Sequence, residues 1–426
     1  MIKQLIIFLT VGFVALNSYA MKMSDLFDAL KKQPLTKIDK LISKEAEIAK
    51  KKALAGFYPK IYGLAGYEHF NSPTSLRPVT PTESAEITKV GGALPFSRNI
   101  KQIGVQADMP IFVWSLFNLT KKAELLYKSA WEKAELNLLK NQALLVSLNA
   151  RLGYLENLHR AMVSRKKSLE ATLARVNIGV KNGRLPEIEK IKIESSINQI
   201  DIALMSIETD KKRILSSIED LTSVKLNHSI EMRQTKKIKQ ANFYSIKPLE
   251  DIIESKKEGL KAQEHRLYPS LYAKASGFRR FGKAYNNNED VVKNYSSIGI
   301  FLQIPIFDKT IYSDIASARV DYLKNRLQLE QLETELKATS DELNTDINII
   351  DNSIRIGEKE VRYQRQLLKY AKVAFQTQRM TEEEYLRYED SLLNASAGLF
   401  DLRAKRWEIL SELAVIYGNN LEEIVK

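Results

Sequence analysis

The chain has 426 residues, a formal net charge of +13 and 44% hydrophobic residues, with 11 Pro, 17 Gly and no Cys. So little Pro and Gly over such a length points to long helices, and the lack of Cys excludes disulfides, thiolate metal sites and thiol nucleophiles. Lys and Arg are interleaved with Glu and Asp, as in EKAELNLLK and IEKIKIE, which is the pattern of a solvated helix face, so no nucleic-acid partner is expected.

Residues 1–3 form a short positive end, residues 5–16 an apolar run, and Ser18 and Ala20 put small residues where a signal peptidase reads. Cleavage is expected after Ala20, which removes Lys3 and lowers the net charge from +13 to +12. The apolar run is shorter than the roughly 20 residues of a membrane helix. No later stretch reaches that length without charges, so no transmembrane helix is expected. With no Cys after the signal, lipid attachment of the bacterial lipoprotein kind is not expected at the N-terminus.

Beyond the signal the chain reads as a duplication. IGVQADMPIF at 103–112 returns as IGIFLQIPIF at 298–307, and the same offset of 195 carries NGRLPEIEKI at 182–191 onto TQRMTEEEYL at 377–386. Upstream the offset is 210, pairing Tyr58-Pro59 with Tyr268-Pro269 and Tyr62 with Tyr272. The change of offset means that the polar loop at about 71–99 is longer than its counterpart at 279–294. The division expected is a signal peptide at 1–20, a first repeat at 21–228, a linker at 229–247 and a second repeat at 248–426. Each repeat runs helix, strand, loop, strand, very long helix, turn and return helix.

The quoted strands alternate with a period of two. Ile103, Val105, Ala107 and Met109 take one face in the first copy, and Ile298, Ile300, Leu302 and Ile304 take it in the second. Gln102, Gln106, Asp108, Ser297 and Gln303 take the other, with Phe301 as an exception. A half-buried strand on a soluble core has the same alternation, but strands of about 10 residues with apolar residues outward and polar residues inward also match a membrane barrel. On that reading the eight apolar residues face outer-membrane lipid, with Tyr62, Tyr67, Tyr272 and Phe278 as candidates for the interfaces. Four strands cannot close a barrel, and an open edge in lipid leaves backbone groups unsatisfied. Two chains would give eight strands around a filled interior and three would give twelve around a water-filled lumen, so a homotrimer is the expected pore.

From 113 to about 180 there is no Pro and only two Gly, enough for a helix of roughly 100 Å. Leu148, Leu155, Met162, Leu169 and Val176 recur every seventh residue, joined by Trp131, Leu138, Leu145, Leu152 and Leu173, a coiled-coil seam. The second copy continues more loosely through Leu343, Ile347, Ile350, Ile354, Val361 and Leu368. The first helix ends at Gly183, with Pro186 opening the return. The second has Gln378 in place of Gly183, and Thr381 with Glu384 three positions on forms a capping box. The fold class is mainly α with a small β part, in which long helical hairpins accompany four strands per chain.

The signal peptide, DALKKQP at 28–34, Tyr-Pro before a strand, Pro-Ile-Phe at a strand's end and the doubled helical hairpin together resemble the TolC family of outer-membrane efflux factors over nearly the whole mature chain. The resemblance implies a trimeric, 12-stranded transmembrane β-barrel continued by a periplasmic helical barrel. It implies an exit channel in the outer membrane that passively conducts substrates received from a periplasmic adaptor (membrane fusion) protein and an inner-membrane pump of RND or ABC type. By the same resemblance the adaptor docks on the hairpin tips, at Gly183, Arg184 and Leu185 and at Arg379, Met380 and Thr381. Glu189 and Glu384 then match the acidic residues of a periplasmic gate, although each also complements its own helix dipole. Arg387 stands where the pattern of the TolC family has a second aspartate, a departure from a purely acidic constriction.

No catalytic motif accompanies these features. His69, His159, His228 and His265 are far apart and none has a partner at ligand spacing. No phosphate loop or nucleophile elbow is present, so neither enzyme activity nor a cofactor or metal is expected. The alternative to a channel is an exported coiled-coil scaffold, which has no need of doubled alternating strands.

Overall fold

A computed structural model describes residues 21–377 and 379–426; the expected signal peptide and Gln378 lie outside the described residues. In chain order the elements are α1 (Met23–Lys31), α2 (Pro34–Ala55), β1 (Lys60–Ser75), α3 (Pro81–Lys89), β2 (Phe96–Phe112), α4 (Trp114–Lys181), α5 (Glu187–Thr222), α6 (Lys247–Glu264), β3 (Ser270–Lys283), β4 (Asp290–Gln303), α7 (Lys309–Gln376), α8 (Glu382–Tyr417) and α9 (Leu421–Ile424). The described residues are mainly helical with four strands, as the sequence indicates. Helices α4 and α7 have 68 residues each and α5 and α8 have 36 each. Both pairs start 195 residues apart, at 114 and 309 and at 187 and 382.

The chain forms two compact units, each drawing on both halves of the sequence. The first contains residues 40–133 and 246–334. Its four strands make one antiparallel sheet in the order β1-β2-β3-β4. The strands run further into the loops than alternation indicates, because β1 continues to Ser75 through a register shift between His69 and Thr74. The loop between β1 and β2 is not wholly irregular. Thr80 accepts from the Glu83 N–H and Pro81 fills the first turn, and this N-terminal signal folds α3. Leu76, Ile100, Ala284 and Val291 close a small core at the loop end of the sheet.

In the same unit the start of α4 packs on α2 and α6. Ser43 donates to the Ala130 carbonyl at 3.0 Å and Ser129 to the Pro248 carbonyl at 2.7 Å. Trp131, expected on the coiled-coil seam, is 50% exposed, while Ser129 and Glu132 are buried. The neighbours of this stretch are α2 and α6 rather than a return helix, and they bury a different face.

The second unit comprises the described residues up to 39 with 134–245 and 335–426. Met23, Leu26 and Phe27 of α1 are fully buried with Leu145 and Leu152 of α4 and Ile214 and Ile218 of α5. Further along the same pair of helices Leu169 and Val176 meet Ile193. The other hairpin buries Leu343 of α7 against Leu413 and Ile416 of α8. Every buried seam residue removes apolar area worth about 25 cal/mol per Å², so the heptad pattern supplies most of the holding energy of helices this long. No helix among the described residues is long and apolar enough to cross a membrane, which says nothing of a β-barrel.

Candidate functional site: sheet faces and hairpin tips

Antiparallel pairing puts directly opposed residues on the same face of a sheet. Ile61, Ala107, Ala275 and Ile298 therefore line up across all four strands, and Met109, Ala273 and Ile300 form the row two residues on. Val105 lies opposite Gly277, and Leu271 opposite Leu302. The other face carries Tyr62, Gln106, Ser276 and Ser297 in one row and Lys60, Asp108, Lys274 and Gly299 in the next. Some of its polar groups pair with one another: Gln106 Nε2 donates to Asp108 Oδ2 at 2.9 Å, and the hydroxyls of Ser276 and Ser297 are 2.9 Å apart, while Asp108 Oδ1 is buried without a hydrogen-bond partner among the described residues.

Of the eight residues expected on the apolar face, Ile103, Val105, Met109, Ile298, Ile300, Leu302 and Ile304 are exposed in the single chain, and Ala107 is half-buried. Ile298 reaches 87% exposure, so it is not in a protein core. Ile304 falls one residue past the end of β4. Ser270 pairs with Gln303, which would leave Ile304 opposite Pro269, and Pro269 has no N–H with which to continue the ladder. Of the four aromatics expected at interfaces, only Tyr67 shares the face of Ile103; Tyr62, Tyr272 and Phe278 share that of Gln106. Strand alternation overrides the aromatic composition there.

A second aromatic group, missed at sequence level, surrounds the junction of the strands with the helices. Phe112 meets Trp114 edge-on at 5.1 Å, Phe57 meets Phe117 at 4.9 Å, and His265 stacks on Tyr268 at 4.9 Å. The available signal was the run of aromatics just outside each strand end. In the second copy this cluster is not rebuilt: Phe307, the counterpart of Phe112, is 81% exposed. The outer edges of β1 and β4 carry no strand among the described residues.

At the first hairpin tip Gly183 has φ +67°, a left-handed conformation that favours Gly and ends α4. The amide of Gly183 donates to the Val180 carbonyl at 2.9 Å and that of Arg184 to Gly179 at 2.8 Å. Leu185 folds back over Gly179. At the second tip, the Arg379 amide donates to the Ala374 carbonyl at 2.8 Å, and the capping box forms: the Thr381 N–H donates to Glu384 Oε2 at 2.9 Å while the Glu384 N–H donates to Thr381 Oγ1 at 3.3 Å. The Thr381 backbone N–H, followed by its hydroxyl, holds the Glu384 carboxyl below the usual carboxylate range. Met380 lies between these residues in the turn.

The gate candidates are each engaged locally. Glu189 pairs with Lys192 at 2.9 Å and Arg387 with Glu383 at 2.7 Å. The less obvious feature lies behind the tips, where α4 meets α8. Arg165, 7% exposed, reaches Glu389 at 2.5 Å and Asp390 at 2.8 Å. Ser168 and Tyr385 donate to the same Glu389 carboxylate at 2.7 and 2.8 Å. Burial, with the Glu389 carboxylate second, pushes the Tyr385 hydroxyl up to about 12. Burial also raises Glu382 above the usual carboxylate range. The i, i+4 spacing of Tyr385 and Glu389 was legible, but their partner Arg165, 224 residues from Glu389, was not.

His69 and His265 hydrogen-bond Asn99 and Asn118, each at 2.6 Å. Among the described residues no group of three or more His, Cys, Asp or Glu is placed to hold a metal.

The fold is shared with solved outer-membrane channels. It is similar to the outer membrane protein VceC of Vibrio cholerae, with a TM-score of 0.74 at 13% identity over 93% of this chain and 96% of that one. It is similar to the CmeC outer membrane channel of Campylobacter jejuni, with a TM-score of 0.74 at 14% identity over 93% and 85%. The MtrE outer membrane channel of Neisseria gonorrhoeae aligns with a TM-score of 0.73 at 14% identity over 95% and 90%. No family model and no curated protein matches the chain. The helical hairpins and four-stranded sheet expected from the TolC resemblance are the fold that this chain has.

Proposed function

We propose that the chain is an outer-membrane exit channel, working as a homotrimer in a tripartite efflux or secretion system. The observation that carries this reading is the sheet: one face is aliphatic and exposed, the other mixes polar groups with aromatic rings, and both edges are open. In lipid each unpaired backbone group is worth several kcal/mol of instability, so such a sheet has to meet copies of itself. Three copies close twelve strands with Ile103, Val105, Ile298 and Ile300 toward lipid and Gln106 and Ser297 toward a wet lumen. The exposed Phe307 beside the β4 edge supports the same arrangement, since its duplicate Phe112 packs on Trp114.

On this reading the helical hairpins lie in the periplasm. The tips at Gly183, Arg184 and Leu185 and at Arg379, Met380 and Thr381 meet a periplasmic adaptor, which links the channel to an inner-membrane pump of RND or ABC type. Glu189, Glu384 and Arg387 stand near the periplasmic mouth as gate residues. Conduction is passive, and the pump supplies the energy. The fold likeness to named outer membrane channels supports this reading.

The test is to extract the protein from outer membranes in detergent, run it heated and unheated on a denaturing gel, and record conductance in planar bilayers. A heat-modifiable trimer that conducts ions is expected. A monomer that stays soluble without detergent and adds no conductance would favour the scaffold alternative.

A further inference from the structure

We propose that the loop end of the sheet's apolar face is a binding site for a phosphorylated, acylated lipid of the outer leaflet. The inference rests on the outer-membrane reading above, which turns that face toward lipid.

Charge on this face is confined to one end. By register, the cations that share the face of Ile103 are Lys101, Arg279 and Lys283, all in the rows nearest the two hairpin loops. Beyond them the rows of Val105, Ala107 and Met109 and of Ile298, Ile300 and Leu302 carry no charge. A cavity of about 780 Å³ opens at the charged end, lined by Arg98, Lys101, Lys283, Tyr67, Phe281 and Tyr285. Asp290 is its one acidic lining residue among those described. None of Arg98, Lys101, Arg279 and Lys283 makes an ion pair among the described residues.

Two of these cations are held by rings instead. Arg98 lies 5.6 Å from the centre of Tyr285 and Arg279 lies 5.5 Å from that of Phe281. Such contacts orient a guanidinium while leaving its N–H fork free for an anion. A planar fork matches phosphate, and basic residues at a membrane surface attract anionic headgroups.

The second half of the site is mainly apolar. Further down the same face a shallow groove of about 420 Å³ is lined by Val105, Ala107, Ala275, Gly277 and Ile298, together with the serines at 276, 296 and 297. Val105 is four residues along β2 from Lys101, about 13 Å at strand rise. Small side chains between larger aliphatic ones leave room for an acyl chain beneath a headgroup held by the cations. A free phosphate would use the cavity and ignore the groove, so a groove on the same face as the cations, one row beyond Ile103 and Arg279, argues for a lipid.

The test uses the detergent-purified oligomer of the full chain and native mass spectrometry, titrating diphosphorylated lipid A against the same lipid after enzymatic dephosphorylation. The wild type is expected to bind the phosphorylated form about tenfold more tightly, and the double substitution Lys101→Gln with Lys283→Gln to abolish that preference without changing the oligomer. Inorganic phosphate at millimolar concentration is expected not to compete. Equal affinity of the wild type for the two lipids overturns the proposal without recourse to any variant, and displacement of the lipid by inorganic phosphate overturns its assignment to a lipid. Failure of the channel reading is seen separately, as the absence of an oligomer that extracts with the outer membrane.

Discussion

Phe278 of β3 lies across Gly104 of β2, its ring occupying the space in which a Cβ on residue 104 would stand. An aromatic that covers a cross-strand Gly shields the backbone and fixes register. The duplicate position shows a looser version, with Phe301 of the same strand leaning over Gly299.

The two glycines should therefore respond differently. In Gly104→Ala the new methyl meets the Gly277 carbonyl and stands 2.9 Å from the Phe278 Cα, backbone atoms that cannot turn away. Overpacking of this kind costs about 1–3 kcal/mol. In Gly299→Ala the methyl meets only ring atoms of Phe301, the closest at 3.1 Å, and the ring can rotate. Thermal melts of the oligomer should show a clear loss for the first and a small one for the second; equal losses would refute the register argument.

Phe307 tests the subunit contact. It is exposed in the single chain, so Phe307→Ser should leave helix content unchanged while weakening the trimer. A buried aromatic is worth roughly 2 kcal/mol per subunit. Unheated gel migration and circular dichroism together separate the two effects, and loss of helix instead of trimer would contradict the assignment.

Behind the tips, Arg165→Met should leave the partly buried Glu389 without its cation. The loss should fall short of the roughly 3–5 kcal/mol of a fully buried pair, and adding Glu389→Gln should recover part of it. Hydrogen exchange along α8 is the measurement. A double variant no better than the single would show that the pair is not coupled.

Glu132 gives a pH dependence. It is buried beside Asp251; burial, then Asp251, pushes its carboxyl above the usual carboxylate range, and Lys128 opposes. A carboxyl whose folded pKa is raised contributes its full stability below the unfolded value and loses it as pH rises through the folded value. Stability from this site should therefore fall between the ordinary carboxylate range and its raised folded value. Glu132→Gln should raise the neutral-pH melting temperature and flatten that part of the pH profile. An unchanged profile would mean that the proton is already lost in the fold.

Much of the fold was legible because it repeats. Two anchored stretches fixed the offset of 195, and Thr381 with Glu384 announced the capping box that forms. The heptads named Leu145, Leu152 and Val176, which are buried. What was hidden depends on partners distant in sequence. Trp131 follows the heptad but is left half exposed, because its neighbours Ser129 and Ala130 are the residues that meet α6 and α2, and Arg165 finds Glu389 only after the hairpins pack. Faces for Tyr62 and Phe278 required the pairing register, which short irregular alternation does not determine.

The most direct test of the membrane-facing sheet uses the absence of native Cys. Single Cys substitutions at Ile298, Ser297, Ile300 and Gly299, spin-labelled in reconstituted bilayers, would report collisions with lipid-soluble oxygen and with a water-soluble relaxant. High oxygen access at 298 and 300 alternating with high aqueous access at 297 and 299 is predicted. Uniform aqueous access at all four positions, or the opposite alternation, would contradict the account.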